Sequence, residues 1–267
     1  MSASCKIGKN CFFRLFSYLL LVFVSVLFSC ETEVLKKTDE KILAVLAHPD
    51  DETLISGTLS KLAAKGCQIT IVYATSGDDG PDFSGRKLYG TDLAREREYE
   101  AKKSLDGLGI KNPPVFLKFP DSHLKEHQKE FEDTLLSIFK NTEPDAVISF
   151  GPDGITHDPD HIVTGYVTEY VFYASASGKL LLQMALSEYP GRLLLGRKPF
   201  QDITIDLKVD VSDYRKERVN SIKAHRTQFK KIYRLVYKRY VRRVPYEEFV
   251  IADNRDGDVV MKNCLKQ

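Results

Sequence analysis

Ile42-Leu43-Ala44-Val45-Leu46-Ala47-His48-Pro49-Asp50-Asp51-Glu52 is the stretch from which the fold can be read. An apolar run meets an imidazole, a proline and three carboxylates. Ile42 to Ala47 reads as a buried strand, which Pro49 stops because it has no N–H to give the ladder. His48, Asp50 and Asp51 therefore sit where a strand ends, the usual place for a ligand site in an open α/β sheet. A buried cluster of an imidazole and several acids is costly unless a cation compensates it. A His with an Asp three positions on suits a divalent metal, zinc above all. The same residues also fit a plain helix start, with Asp50 and Asp51 as cap and first-turn acids against the helix dipole. A helix is expected from about Thr53 to Lys65, closed by Gly66. Spacing alone leaves both readings open.

Further along, Cys67–Ala74, Val115–Phe119 and Asp145–Phe150 read as strands, with helices over Asp92–Leu108 and Phe131–Lys140 between them. That alternation predicts an α/β fold: a Rossmann-like, mostly parallel sheet with helices on both faces. The Gly-, Asp- and Ser-rich segment Ser76–Gly90 is long for a bare connection, and is expected either at the rim of the site or as a solvated loop. After the fourth strand, Asp158 is placed to cap a helix whose first residue is Pro159, with His161 in its first turn. A second imidazole at a strand end makes His48, Asp51 and His161 a three-ligand set, the arrangement of a catalytic rather than a structural zinc. Asp160 either accepts a proton from the neighbouring imidazole or sets charge against the helix dipole.

Ala47-His48-Pro49-Asp50-Asp51-Glu52 after a first strand resembles the signature of the LmbE/PIG-L family of zinc-dependent N-deacetylases. Arg95-x-x-Glu98-x-x-Ala101 with Leu108-Gly109, then Asp158-Pro159-Asp160-His161, then His225-Arg226-Thr227-Gln228, are similar to the family's later elements. The resemblance implies Zn2+, or another divalent transition metal, on His48, Asp51 and His161, with Asp50 as general base. It implies that Arg95 reaches the substrate pocket and that Asp121 binds sugar hydroxyls, although Asp121 also fits a turn cap. The implied reaction is removal of an N-acetyl group from an N-acetylglucosamine-type amino sugar or glycoconjugate. The family's second motif usually reads Gly-His-Pro-Asp-His; here His157 and Asp158 occupy its first two positions. An ionised Asp158 can only accept hydrogen bonds. Oxyanion stabilisation is therefore expected from His157, with a protonated Asp158 or the metal alone as alternatives. The family's late lysine position carries Arg218, and His225 and Gln228 are expected to support the fold near the site. Two other functions stay open: an amidase acting on another N-acyl or thiol conjugate, and a glycan-binding lipoprotein without turnover.

With 267 residues, 43% of them hydrophobic, the chain can bury one sizeable core, and a net charge of +2 gives no field to suggest nucleic acid as a partner. Lys6, Lys9 and Arg14 precede an apolar run from Leu15 to Phe28, and Leu27-Phe28-Ser29-Cys30 resembles a bacterial lipobox. The expected organisation is a lipoprotein signal peptide over 1–29, a tether over 30–41 and the deacetylase-like domain over 42–267. Lipid on Cys30 would hold an exported protein at a membrane, periplasmic or at the cell surface; an uncleaved signal anchor is the alternative. Cys67 and Cys264 make no disulfide framework, and Cys67 is expected to be buried. His123 and His127 are expected on a solvated surface. The basic segment Lys230–Arg243 is expected to be the solvated face of a helix whose Ile232, Leu235 and Val236 pack inward.

Overall fold

The computed structural model describes residues 38–196 and 203–265. The expected signal peptide, the lipidated Cys30 and the tether up to residue 37 lie outside the described residues. From Lys41 the chain alternates: β1 (Lys41–Leu46), α1 (Ser56–Ala64), β2 (Gln68–Thr75), α2 (Gly90–Gly107), β3 (Val115–Phe119), α3 (Gln128–Thr142), β4 (Ala146–Phe150), α4 (Pro159–Ala174), β5 (Leu180–Ala185). It continues through α5 (Glu188–Leu195), β6 (Leu207–Asp210), α6 (Arg215–Ala224), α7 (Lys231–Arg243) and β7 (Tyr246–Asn254). The described strands form a seven-stranded sheet in the order β3-β2-β1-β4-β5-β7-β6. β1 to β5 pair in parallel, and β7 runs antiparallel to both β5 and β6. The parallel part follows from strand–helix alternation; the antiparallel edge was not foreseen in it.

β1 shows why both faces are covered. Side chains alternate across a strand. Ile42, Ala44 and Leu46 join a core with Leu59 and Leu62 of α1 and Leu105 of α2, while Leu43 and Val45 join one with Phe131 and Leu135 of α3 and Val167 of α4. Burying each of the larger side chains contributes roughly 1.5–3 kcal/mol. β1 also lies between β2 and β4, where the strand order reverses, so the carboxyl ends of β1 and β4 flank a crevice. α4 comes so close to the end of β4 that a Cβ on Gly165 would stand 2.7 Å from the Phe150 carbonyl oxygen. Residues ahead of β1 also pack on the sheet: Thr38 donates its amide to the Lys65 carbonyl (3.1 Å), and the Gln68 amide donates to the Glu40 carbonyl (2.9 Å). Cys67 is buried with its Sγ 3.2 Å from that of Cys264, and both are free thiols.

A buried ion pair ties the late helices to the first. Arg218 Nε lies 3.2 Å from Glu247 Oε1, and Arg218 Nη1 donates to the Val244 carbonyl at 2.8 Å. The Glu247 carboxylate accepts the amides of Gly57 (2.9 Å) and Thr58 (2.7 Å) in the first turn of α1, donors that a helix cannot satisfy internally. One carboxylate thus caps α1 and neutralises a buried guanidinium. Arg218→Met leaves Glu247 buried without its cation; urea denaturation should show a loss of about 3–5 kcal/mol, with Arg218→Lys less damaging. Equal stability of Arg218→Met and the wild type would remove this account of the late helices.

Candidate active site

Pro49 ends β1, and the next residue turns sharply: Asp50 has φ 138°, a conformation costing on the order of 1–3 kcal/mol for a non-glycine residue. It is held there by hydrogen bonds on both sides, from its own amide to Glu52 Oε2 (3.0 Å) and from the Thr53 amide to its carbonyl (2.9 Å). Asp51 folds back so that Oδ2 accepts the amides of Ala47 (3.0 Å) and His48 (2.7 Å). Its other oxygen, Oδ1, lies 3.1 Å from His161 Nε2. One oxygen fixes the loop and the other faces the crevice.

His161 is delivered from the opposite side. Asp158 caps α4, its Oδ1 accepting the Asp160 amide at 2.9 Å, and Pro159 opens the helix. The His161 ring stacks on Phe150 at 4.2 Å between centroids. Its Nδ1 lies 3.0 Å from the Gly154 carbonyl oxygen and 3.1 Å from Thr156 Oγ1. A carbonyl can only accept, so the ring proton belongs on Nδ1, and Nε2 keeps its lone pair. His48 shows the same logic reversed. Its Nε2 lies 3.0 Å from Asp121 Oδ1 and 3.5 Å from Asp160 Oδ2, which places the proton there and frees Nδ1, 3.2 Å from His161 Nε2. His48 Nδ1, an Asp51 oxygen and His161 Nε2 therefore converge. These ligand atoms lie within 4.8 Å of one another. Two imidazole lone pairs and one carboxylate, each ring fixed by an acceptor behind it, are a fitting donor set for a divalent transition cation.

His48, Asp121 and Asp160 form a second grouping of the same compactness. There the carboxylates are already engaged: Asp160 accepts the amides of Ser122 (2.8 Å) and Leu124 (3.2 Å), and Asp121 accepts that of Asp79 (3.1 Å). They orient the His48 ring. Asp160 thus serves His48 rather than its neighbour His161, because α4 carries the two side chains to different sides of the crevice.

The electrostatics follow from burial among acids. Burial pulls His48 and His161 down, but Asp121 and Asp160 hold the first well above the usual imidazole range and Asp51 raises the second. Asp51 is held below the usual carboxylate range against its own burial, by His161. Asp50 goes the other way: burial, then the charge of Asp51, push it up to about 7. Two adjacent acids are thereby separated, one ionised and one poised near neutrality.

A hollow of about 340 Å³ opens over these groups, lined among others by Asp50, Arg97, Asp158, Phe229 and Tyr233. Arg97 is buried in its wall and donates to the carbonyls of Gly77 and Pro81, which pins the loop after β2. The loop stays close because a Cβ on Gly80 would sit 2.5 Å from Arg97 Nη1. Gly80 and Pro81 line the hollow, so Ser76–Gly90 contributes to its rim.

Residues 43–172 match the family described as PIG-L: GlcNAc-PI de-N-acetylase. Over that span the chain is similar to PIG-L proteins. A 1D-myo-inositol 2-acetamido-2-deoxy-alpha-D-glucopyranoside deacetylase from Corynebacterium diphtheriae is 34% identical over 154 residues, 49% of this chain and 52% of that protein. One of the same description from Mycobacterium sp. (strain JLS) is 29% identical over 228 residues, covering 70% and 74%. The chain spans about half the length of the first curated relatives it matches. Among solved structures, N,N'-diacetylchitobiose deacetylase from Pyrococcus horikoshii aligns with TM-score 0.63 at 22% identity over 97% of both chains. A 4-carboxy-2-hydroxymuconate hydratase from Pseudomonas putida aligns with TM-score 0.64 at 14% identity over 81% of this chain and 97% of its own. Both likenesses show the fold alone.

Two expected site residues are not where the sequence reading put them. Arg95 is exposed, bonds Asp92 on the surface of α2, and lines a different hollow with Ser76 and Lys118. Its place is taken by Arg97, two residues on and therefore about 200° around the helix. Arg97-x-x-Glu100 has the same spacing as Arg95-x-x-Glu98, and the burial of Ala101 and Leu105 beside it was the signal that separates the two. Glu100 accepts the amides of Arg226 and Thr227 and the Thr227 hydroxyl. His157, with φ 62°, is exposed and does not line the hollow, because the turn before the Asp158 cap carries it outward. Asp158 does line it.

Glu52, the last residue of the motif after β1, has a task that its sequence position does not reveal. It is fully buried, accepts the Tyr73 hydroxyl (2.9 Å) and pairs with His225 Nε2, whose Nδ1 meets Gln228 Oε1 at 2.9 Å. Burial lowers His225, but Glu52 outweighs it and holds the ring up to about 9; His225 in turn keeps Glu52 below the usual carboxylate range despite burial. A raised imidazole stabilises the fold fully below its unfolded value of 6.5, and that contribution is lost as pH rises through about 9. The Tm gap between wild type and His225→Gln should thus be widest in mildly acid solution below 6.5 and close as pH rises through about 9. A gap that does not vary with pH would overturn the pairing.

Proposed function

We propose that this chain is a divalent-metal-dependent hydrolase that removes the acetyl group from an N-acetylglucosamine-type amino sugar or its conjugate. The observation that carries the reading is the convergence of His48 Nδ1, Asp51 and His161 Nε2 beside the strained, pocket-lining Asp50. The deacetylases among the relatives support it. The hydratase of the same fold is a reminder that side chains, not the sheet, choose the reaction.

His48, Asp51 and His161 would hold the cation, zinc or another divalent transition metal. The chemistry such an ion supplies is Lewis acidity toward an amide carbonyl and toward water. Asp50 accepts the proton of the attacking water and returns it to the departing amine. A buried carboxyl near neutrality suits both steps, and a cation beside it favours the ionised, proton-accepting form. Asp121 and Asp160 keep the His48 ring in the tautomer that presents Nδ1. Arg97 lends fixed positive charge to the wall, in the position first assigned to Arg95. Phe229 and Tyr233 offer the apolar face of a sugar ring somewhere to rest. With His157 outside the hollow and Asp158 engaged as a cap, neither is assigned the oxyanion. Export and attachment through a lipidated Cys30 belong to the same proposal, supported by the Lys6–Cys30 sequence.

The test is acetate release from a panel of N-acetylated amino sugars, paired with metal analysis. Asp50→Asn should keep the metal and lose turnover by about 10²–10⁴-fold, whereas His161→Ala should lose both. Arg97→Ala should impair turnover while Arg95→Ala leaves it unchanged. Retained hydrolysis in Asp50→Asn would remove it as the base. Ligand and metal binding with no acetate released from any substrate would favour a glycan-binding protein instead.

A further inference from the structure

α7 reads KIYRLVYKRYVRR: six of its thirteen residues are Lys or Arg, and none is acidic. The expected orientation is inverted. Tyr237, Tyr240 and Val241 are the residues packed inward, and the Tyr237 hydroxyl donates to the Thr53 carbonyl. Ile232, Leu235 and Val236 face out, 66%, 57% and 36% exposed. Lys231, Lys238, Arg239, Arg242 and Arg243 are exposed around them. None of the cations of α7 has a carboxylate partner among the described residues. A helix on a soluble surface normally turns its aliphatic stripe to the core. Here the core has taken the aromatic stripe, and a second, aliphatic and basic face is left in water.

We propose that this face of α7 docks on an anionic bilayer surface, with Ile232, Leu235 and Val236 at the headgroup–acyl boundary and the flanking cations on lipid phosphates. Charge complementarity selects this occupant. A second copy would bring two cation-rich faces together. A nucleic acid would want aromatic rings to stack on its bases, and the tyrosines that could do so are turned inward. The described helices include none long and apolar enough to cross a membrane, so α7 lies in the plane of the interface. Tyr233 of the same helix lines the hollow, which places the cleft beside that surface. The proposal is independent of the catalytic reading.

The chain contains no tryptophan, so Leu235→Trp in the full chain supplies a lone fluorescent reporter. With phosphatidylcholine vesicles containing phosphatidylglycerol, its emission should shift to the blue and be quenched by brominated acyl chains. The effect should fade as salt rises and be much weaker on pure phosphatidylcholine. Adding Arg239→Glu and Arg242→Glu should weaken vesicle affinity read by the reporter by more than about tenfold. Ile232→Trp is a second reporter with the same expectation, and matching melting curves establish that each variant is folded. A reporter that keeps its water-exposed emission while the chain pellets with vesicles through its N-terminal segment overturns the proposal. So does equal quenching on neutral lipid, undiminished quenching in the double charge variant, or a blue shift produced by duplex DNA or by raising protein concentration alone.

Discussion

Two imidazoles with their protons turned outward hold the crevice together. His161 gives its proton to the Gly154 carbonyl and His48 gives its proton to Asp121. In the neutral rings the lone pairs left behind face each other and Asp51; without a cation the surrounding acids favour a proton there instead, and a bound cation would take the place of those protons. The acceptors come from two connections of the sheet: Asp121 follows β3, whereas Gly154 and Asp160 both follow β4. Asp160 also takes the amides of Ser122 and Leu124, so the connections after β3 and β4 are stitched to each other behind the same ring. A sheet whose strand order reverses beside β1 brings these connections to one end.

α2 has a comparable organising role on the other side. Arg97 and Glu100, one turn apart, reach in different directions: the arginine to the loop after β2, the glutamate to the amides of Arg226 and Thr227. The segment His225–Gln228 is therefore fastened twice, by Glu100 and by Glu52. It does more than support the fold, since Gln228 and Phe229 line the hollow themselves.

What the sequence made legible was local. The apolar run before His48, the proline that stops it and the Asp158-Pro159 helix start each follow from one residue's chemistry, and the structure places them as read. What stayed illegible depends on rotation or on partners far along the chain. Arg95 and Arg97 head equivalent Arg-x-x-Glu pairs, and only the burial of Ala101 and Leu105 says which faces the core. In α7 two stripes share helical spacing: Ile232, Leu235 and Val236 compete with Tyr233, Tyr237, Tyr240 and Val241. The larger rings bury more area and take the core. The antiparallel β7 could not be derived from βαβ alternation, which speaks only for parallel neighbours. His157 fell outside the hollow because a left-handed residue redirects the chain just before the helix cap.

The pairing of Glu52 with His225 also sets an order of events. Glu52 belongs to the turn that holds Asp50 in its unfavourable backbone conformation, yet its cationic partner lies 173 residues later. While the chain is being synthesised, β1 and its turn emerge long before α6 and the histidine that follows it. A half-made polypeptide therefore has Glu52 without the cation that makes its burial tolerable. The pair can close only once most of the domain has been translated.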